Sequence, residues 1–81
     1  MPPGWWVPVR GSDGHARKDK IKNVLDRDKY KGVLHCFWRD EEDPESRYYA
    51  LIEHVGDDKI DDLLREPDVN AYGEKKRVER I

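Results

Sequence analysis

The sequence predicts an α+β domain in which four strands form one antiparallel sheet and two helices cover one face of that sheet. Short stretches rich in aromatic and β-branched residues alternate along the chain with two stretches of helical periodicity. Their order is strand, helix, strand, strand, helix, strand, and 81 residues are enough for one domain only. We therefore expect residues 1–81 to form a single domain, in which residues 1–4 are a flexible lead.

The first half of the chain provides a strand, a helix and a second strand. Trp5–Arg10 is a short apolar strand that contains Pro8, and because proline cannot donate a backbone hydrogen bond we expect it at a bulge or at the strand's end. From about His15 to Lys29, apolar residues recur at helical spacing between charged ones, and Gly32 ends the helical region. Val33–Arg39 is the second strand.

The second half provides a strand, a helix and a last strand. An acidic loop, Asp40–Ser46, leads into Arg47–Val55, the second strand of a hairpin. A short helix begins near Asp57, and Pro67 stops it. Lys75–Ile81 closes the sheet. This order is the split βαβ, or ferredoxin-like, pattern, a βαββαβ sandwich whose second sheet face stays open to solvent or to a partner.

The two faces of the predicted hairpin follow from side-chain alternation once Phe37 is paired with Tyr49. The face expected beneath the helices then contains Leu34, Cys36, Trp38, Tyr48, Ala50 and Ile52. The open face contains Val33, His35, Phe37, Arg39, Arg47, Tyr49, Leu51 and Glu53. In the first strand, Trp5 and Val7 belong to the core and Trp6 to the open face. A slip of this register by one residue would exchange the faces.

Charge and composition restrict the classes of function. The chain has 16 Lys and Arg against 18 Asp and Glu, a net charge of -2, whereas nucleic-acid binders are usually basic overall. The charges are nevertheless segregated, with basic regions at 10–31 and 72–81 and an acidic region at 32–71. No apolar stretch is long enough for a membrane span or a signal peptide, so we expect a soluble, cytoplasmic protein without a membrane partner. A single cysteine, Cys36, agrees with a reducing compartment.

The second hairpin strand resembles a known nucleic-acid-binding signature. Residues 47–54 read R-Y-Y-A-L-I-E-H and resemble the long RNP signature of RNA recognition motif domains, K/R-G-F/Y-G/A-F-V-x-F/Y. Arg47, Tyr49 and Ala50 match this signature directly, and Ile52 stands at the position of its valine. The sequence W-W-V-P-V-R at 5–10 is similar to the family's shorter RNP signature, in its first strand. The departures from the long signature are Tyr48, Leu51 and His54.

The resemblance implies that the open face binds single-stranded RNA or DNA. In RNA recognition motif domains, rings at these positions stack on successive bases, which contributes about 1–3 kcal/mol per base. By this implication Trp6, Tyr49 and Phe37 would contact bases and Arg47 would contact a phosphate. The full set of candidate binding residues is Trp6, His35, Phe37, Arg47, Tyr49, Leu51 and Glu53.

Two other classes of function remain open. The aromatic face could bind another protein or a second copy of the chain in a homodimer. The acidic loop Asp40–Glu45 could mimic phosphates and block a partner's nucleic-acid groove, as small inhibitors such as anti-CRISPR proteins can do. An enzyme with a pocket enclosed between two copies is the third alternative.

Catalysis is not expected from the residues themselves. His35 and Cys36 are adjacent in a strand and would therefore point to opposite faces, which separates them as a catalytic pair. The three histidines and one cysteine lack a standard zinc spacing, and no glycine-rich phosphate loop or nucleophile elbow is present. We therefore expect a binding module with no catalytic residue, no metal and no cofactor.

Overall fold

The computed structural model describes residues 4–10, 14–39, 41–42, 44 and 48–78, and it has the predicted α+β class. In chain order the elements are β1 Gly4–Val9, α1 Gly14–Leu25, β2 Val33–Arg39, β3 Tyr48–Glu53, α2 Asp57–Leu64 and β4 Lys76–Val78. The four strands form one antiparallel sheet in the order β2-β3-β1-β4. Strands β1 and β3 are therefore central, and β2 and β4 are the edges.

One hydrophobic core joins both helices to a single face of the central strands. The sheet contributes the buried side chains of Trp5, Val7, Val9, Ala50 and Ile52. The helices contribute those of Ile21, Val24, Leu25, Ile60 and Leu63. Each fully buried aliphatic side chain of this kind stabilises the fold by about 1.5–3 kcal/mol. The alternation predicted for the first and third strands is confirmed.

The first helix is shorter than its periodicity predicted, because the chain turns after Leu25 instead of continuing to Lys29. The Gly32 amide donates to the Leu25 carbonyl oxygen at 2.9 Å, which closes this turn. The turn brings the Tyr30 ring into the core, and its hydroxyl donates to Glu66 Oε1 at 2.9 Å. The burial of Tyr30 therefore explains why the helical pattern ends early.

Pro8 lies within β1 and not at a bulge or at the strand's last residue, so that prediction was wrong. The ladder of β1 with β4 covers Gly4 to Trp6 only. Beyond it, the Pro8 carbonyl oxygen accepts a hydrogen bond from the Tyr72 amide at 2.7 Å. In an antiparallel strand the N–H and C=O of one residue point to the same side. The nitrogen of Pro8 therefore faces away from β3, and its missing hydrogen removes no bond to that strand.

The pairing of β2 with β3 starts as predicted and then departs from the prediction. Leu34 lies opposite Ile52, but a β-bulge follows, and Cys36 lies opposite Leu51. His35 is the extra residue of the bulge and has no partner of its own in β3. A bulge adds one residue to one strand, so every later residue faces the opposite side.

The bulge exchanges the two faces in the second half of β2. Phe37 lies opposite Ala50 and packs against the core, whereas Trp38 lies opposite Tyr49 and is 49% exposed. Cys36 is exposed as well. The predictions that placed Trp38 and Cys36 in the core and Phe37 on the open face were therefore wrong. The prediction assumed that side chains alternate between the two sheet faces along the whole of β2, and the bulge interrupts this alternation.

The ends of the two edge strands also differ from the prediction. Arg39, expected on the open face, lies opposite Tyr48, and its guanidinium carbon is 5.5 Å from that ring's centroid. The last strand is shorter than the predicted Lys75–Ile81, and residues 79–81 lie outside the described part. Within β4, Arg77 lies 4.4 Å from the Trp5 ring centroid. Of the predicted acidic loop, only 41, 42 and 44 are described.

Candidate binding surface

The sheet face turned away from the hydrophobic core, which we call the open face, has an aromatic patch at its centre. The patch consists of Trp6, Trp38, Tyr49, Leu51 and Lys76. Trp6 lies opposite both Leu51 on β3 and Lys76 on β4, and Trp38 lies opposite Tyr49. Directly paired residues share a face of the sheet, and these five residues therefore lie together.

The two tryptophans of the patch meet above the central strand β3. The ring centroids of Trp6 and Trp38 are 5.8 Å apart with an interplanar angle of 54°, and those of Trp38 and Tyr49 are 5.9 Å apart at 39°. Aromatic pairs at such separations contribute about 0.5–1.5 kcal/mol beyond the area that they bury. Tyr49 and Leu51 lie beneath the indoles and are only 3% and 7% exposed. The patch is a fixed layer of rings over an apolar floor.

Trp38 is the member of the patch with the largest exposed apolar surface. Half of its side chain is open to solvent, Trp6 is partly buried, and Tyr49 is covered. A buried ring has no free face on which a planar group could stack. Stacking on this surface would therefore involve Trp38 first, with Tyr49 supporting it from below.

The patch carries one positive charge, that of Lys76, on the side of β4. Lys76 is exposed, and its Nζ lies 5.2 Å from the centroid of the Tyr49 ring. A cation over an aromatic face at an exposed site gains about 0.5–1 kcal/mol, which holds the side chain loosely in place. The ammonium of Lys76 can still turn toward an anionic group of a ligand above the patch.

At the end of the open face next to the bulge, a buried carboxylate contacts two imidazoles. Glu53 is 3% exposed, and its Oε1 is in contact with His35 Nε2. Nε2 of His54 lies 3.8 Å from the other carboxylate oxygen. The carboxylate of Glu53 is thus engaged inside the protein and is not presented to a ligand.

The structure brings some of the predicted binding residues together and separates others. Those within the aromatic patch are Trp6, Tyr49 and Leu51. Those in mutual contact beside it are His35 and Glu53. Phe37 lies on the helix-covered side, against the core. Arg47 lies outside the described residues.

Trp38 and Lys76 belong to the patch but were absent from the predicted set. The signal for Trp38 was ambiguous, because β2 has apolar residues at both odd and even positions and fits either register. Lys76 had no clearer signal, because the predicted last strand carries cations on both sides, Lys76 on one and Lys75 and Arg77 on the other. The cost of burying a charge therefore could not decide which side of this strand faces the helices.

Comparison with protein-family models, with curated proteins and with solved structures found no match to this chain. Within the described residues, no group of three or more His, Cys, Asp or Glu side chains is arranged to hold a metal ion. Neither described helix has the length and apolar character needed to cross a lipid bilayer.

Proposed function

We propose that this chain is a small binding module that binds single-stranded nucleic acid by stacking a base on Trp38. The observation behind this proposal is that the indole of Trp38 is 49% exposed although Trp6 and Tyr49 fix it from two sides. A ring that is already ordered loses little entropy when a ligand stacks on it. Base stacking contributes about 1–3 kcal/mol and accepts any base, because every base has a flat face.

The tilt between the tryptophans limits how a base can bind. At 54° the two indoles cannot both lie parallel to one base, so one base stacks on Trp38 and the edge of Trp6 borders it. Lys76 lies on the far side of the patch, where it can attract the phosphate of a neighbouring nucleotide. This predicts a weak, sequence-tolerant and salt-sensitive interaction.

The fold that we propose for this module is ferredoxin-like, with a binding mode similar to that of RNA recognition motif domains. The order of elements and the sheet order β2-β3-β1-β4 support it, as does a core to which both helices contribute. A cytoplasmic location is part of the proposal, since an exposed free thiol such as Cys36 persists best in a reducing compartment.

The test is a titration of isotope-labelled protein with short mixed-sequence RNA and DNA, followed by NMR. We expect amide and indole shifts centred on Trp6, Trp38 and Lys76 that weaken as salt is added. Tyr72→Ala is the control variant and should show the same shifts as the wild type, because Tyr72 is an exposed ring outside the patch. Shifts that avoid the patch, or none at all, would refute the proposal.

Association with a second copy of the chain is the second candidate function. Val33 and Trp38 are exposed apolar residues on the same side of β2, with Val33 46% exposed, and together with Trp6 they extend the apolar surface to the sheet's edge. Exposed apolar side chains gathered on one sheet face are also typical of protein interfaces. Light scattering over a range of protein concentrations shows whether the chain associates with itself. A dimer that Trp38→Asp dissociates would favour association over nucleic-acid binding.

A further inference from the structure

Within its described residues, Lys76–Val78, strand β4 contributes no side chain to the hydrophobic core. Each of the other three strands contributes buried or partly buried apolar side chains to it. The ladder of β4 with β1 is also short and runs only from Gly4, opposite Val78, to Trp6, opposite Lys76. A short edge strand without apolar burial opens locally at a low cost in free energy. Contacts other than core packing therefore decide how firmly β4 is held.

Two ion pairs link β4, and the residue before it, to helix α2. Arg77 Nη2 lies 2.5 Å from Asp57 Oδ2, and Lys75 Nζ lies 2.8 Å from Asp61 Oδ1. The two aspartates are four residues apart on a helix, which is a rise of about 6 Å. The two bases are two residues apart along an extended chain, which spans about 6–7 Å. The spacing of the acids on α2 thus matches the spacing of the bases.

The same two basic side chains lie over the ring of Trp5. The guanidinium carbon of Arg77 is 4.4 Å from the ring centroid, and Lys75 Nζ is 5.2 Å from it. Trp5 belongs to the core on the helix-covered face and lies opposite Arg77 in the ladder. Each base therefore contacts a ring in β1 and a carboxylate in α2. We call Trp5, Asp57, Asp61, Lys75 and Arg77 the β4 clamp.

Lys76 lies between the two bases of the β4 clamp and belongs to the other face of the sheet. Its place on the open face is shown by Trp6, which lies opposite it, and by the Tyr49 ring, 5.2 Å from its Nζ. Successive residues of a strand point to opposite faces. Contacts on the helix-covered side of β4 therefore fix the backbone from which Lys76 reaches the aromatic patch.

We propose that Asp57 and Asp61 are positioning residues of the binding surface, which hold β4 against β1 and thereby keep Lys76 on the open face. Both carboxylates lie on the helix-covered side and touch no ligand. An exposed ion pair contributes little to the stability of a whole domain. Here the two pairs act on a strand that has no apolar side chain in the core. The role of Lys76 in binding rests on the proposed function, whereas the docking of β4 does not.

The first test is amide hydrogen exchange in the double variant Asp57→Asn/Asp61→Asn, without nucleic acid. The backbone groups of even-numbered β1 residues face β4, as the hydrogen bond from the Tyr72 amide to Pro8 shows, and those of odd-numbered residues face β3. The Trp6 amide thus reports on β4, and the Val7 amide reports on the central pairing. We expect exchange at least about fivefold faster at Trp6 and unchanged at Val7. Equal acceleration at both, or none at Trp6, would overturn the proposal.

The double variant Asp58→Asn/Asp62→Asn is the matched control. It has the same substitutions at the same spacing on α2, and the described ion pairs of Asp62 are with Lys29 and Arg65 instead of with β4. Both double variants remove two negative charges from a chain of net charge -2. We expect wild-type exchange at Trp6 in the control. An acceleration as large as in Asp57→Asn/Asp61→Asn would show that charge on the helix matters and the clamp contacts do not.

Nucleic-acid affinity gives a second readout, in which charge and positioning have opposite signs. Loss of two negative charges by itself favours binding of a polyanion, and the control should show this gain. We expect Asp57→Asn/Asp61→Asn to bind at least about twofold more weakly than wild type, with no further loss when Lys76→Gln is already present. A gain equal to that of the control would overturn the link to Lys76. If the wild type binds no nucleic acid, the proposed function fails, and the exchange rates alone decide whether the clamp holds β4.

Discussion

Trp38 and Tyr49 lie directly opposite each other on adjacent strands, with their ring centroids 5.9 Å apart, on the face of the sheet that the helices leave free. The residue that precedes Trp38 in the chain, Phe37, packs against the core on the other face. One strand thus presents neighbouring rings to opposite surfaces. Substitutions at these two positions should separate ligand binding from stability.

Trp38→Ala should weaken binding of short single strands by about fivefold or more, because it removes a stacking contribution of about 1–3 kcal/mol. Fluorescence anisotropy of a labelled oligonucleotide measures the affinity, and a urea melt of the same variant measures its free energy of unfolding. The melt should show a cooperative transition, since half of the side chain is already exposed. Unchanged affinity in the folded variant would exclude stacking on Trp38.

Phe37→Ala should have the opposite effects, lowering stability while leaving nucleic-acid binding unchanged. It removes a ring that packs against the core, so we expect the free energy of unfolding to fall by about 2–3 kcal/mol, less than for a fully buried ring. Binding measured well below the melting transition should be retained. The control is Val33→Ala, on the exposed side of the same strand, with an expected change within about 0.5 kcal/mol. A larger loss at Val33 than at Phe37 would contradict the observed register.

Lys76→Gln should weaken nucleic-acid binding at low salt and make it less sensitive to salt. Removing one phosphate contact lowers the slope of log affinity against log salt concentration by about one. Affinities measured over a range of salt concentrations give this slope. Lys59→Gln, an exposed lysine on α2, is the matched control and should leave the slope unchanged. Equal slopes in wild type and Lys76→Gln would remove Lys76 from the interface.

Tyr30→Phe should reduce the loss of stability in acid. The Tyr30 hydroxyl donates to Glu66 and, together with Arg27, holds the pKa of that carboxyl below its ordinary value of 4.5. A carboxyl with a lowered pKa in the folded state stabilises the protein above its unfolded pKa, and this stabilisation is lost as the pH falls through the folded value. Urea melts between about pH 3 and pH 6 measure the effect. Tyr72→Phe is the control and should show the wild-type dependence of unfolding free energy on pH. If Tyr30→Phe also shows the wild-type dependence, this hydrogen bond contributes nothing to stability in acid.

The regular parts of the sheet were predictable from the sequence. In β1 and β3 the period of two is unbroken, so the core positions of Val7, Ala50 and Ile52 follow from alternation alone. The order of elements followed from the positions of glycine, proline and the helical periodicity. These signals are local, and local patterns are what sequence reasoning detects reliably.

The composition of the aromatic patch was only partly predictable. A bulge leaves no periodic signal in the sequence when odd- and even-numbered residues of the strand are both apolar. β2 has Leu34 and Phe37 on one face and Trp38 on the other, and each register would bury some of its apolar side chains. The choice depends on tertiary contacts, which join residues far apart in the chain and leave no local pattern in the sequence. Trp6, Tyr49 and Leu51 were assigned correctly to the open face because they belong to the regular strands.

The bulge also has a consequence for how copies of this protein behave in concentrated solution. β2 is an edge strand with exposed apolar residues, the kind of strand on which other chains can add by backbone hydrogen bonding. An inserted residue disturbs the even spacing of amides and carbonyls along that edge, so a second strand cannot align with it over its full length. A variant from which His35 is deleted would regain a flat edge, and it should aggregate faster than wild type while its fold is unchanged. The irregularity in β2 is thus expected to slow the addition of further chains at this edge.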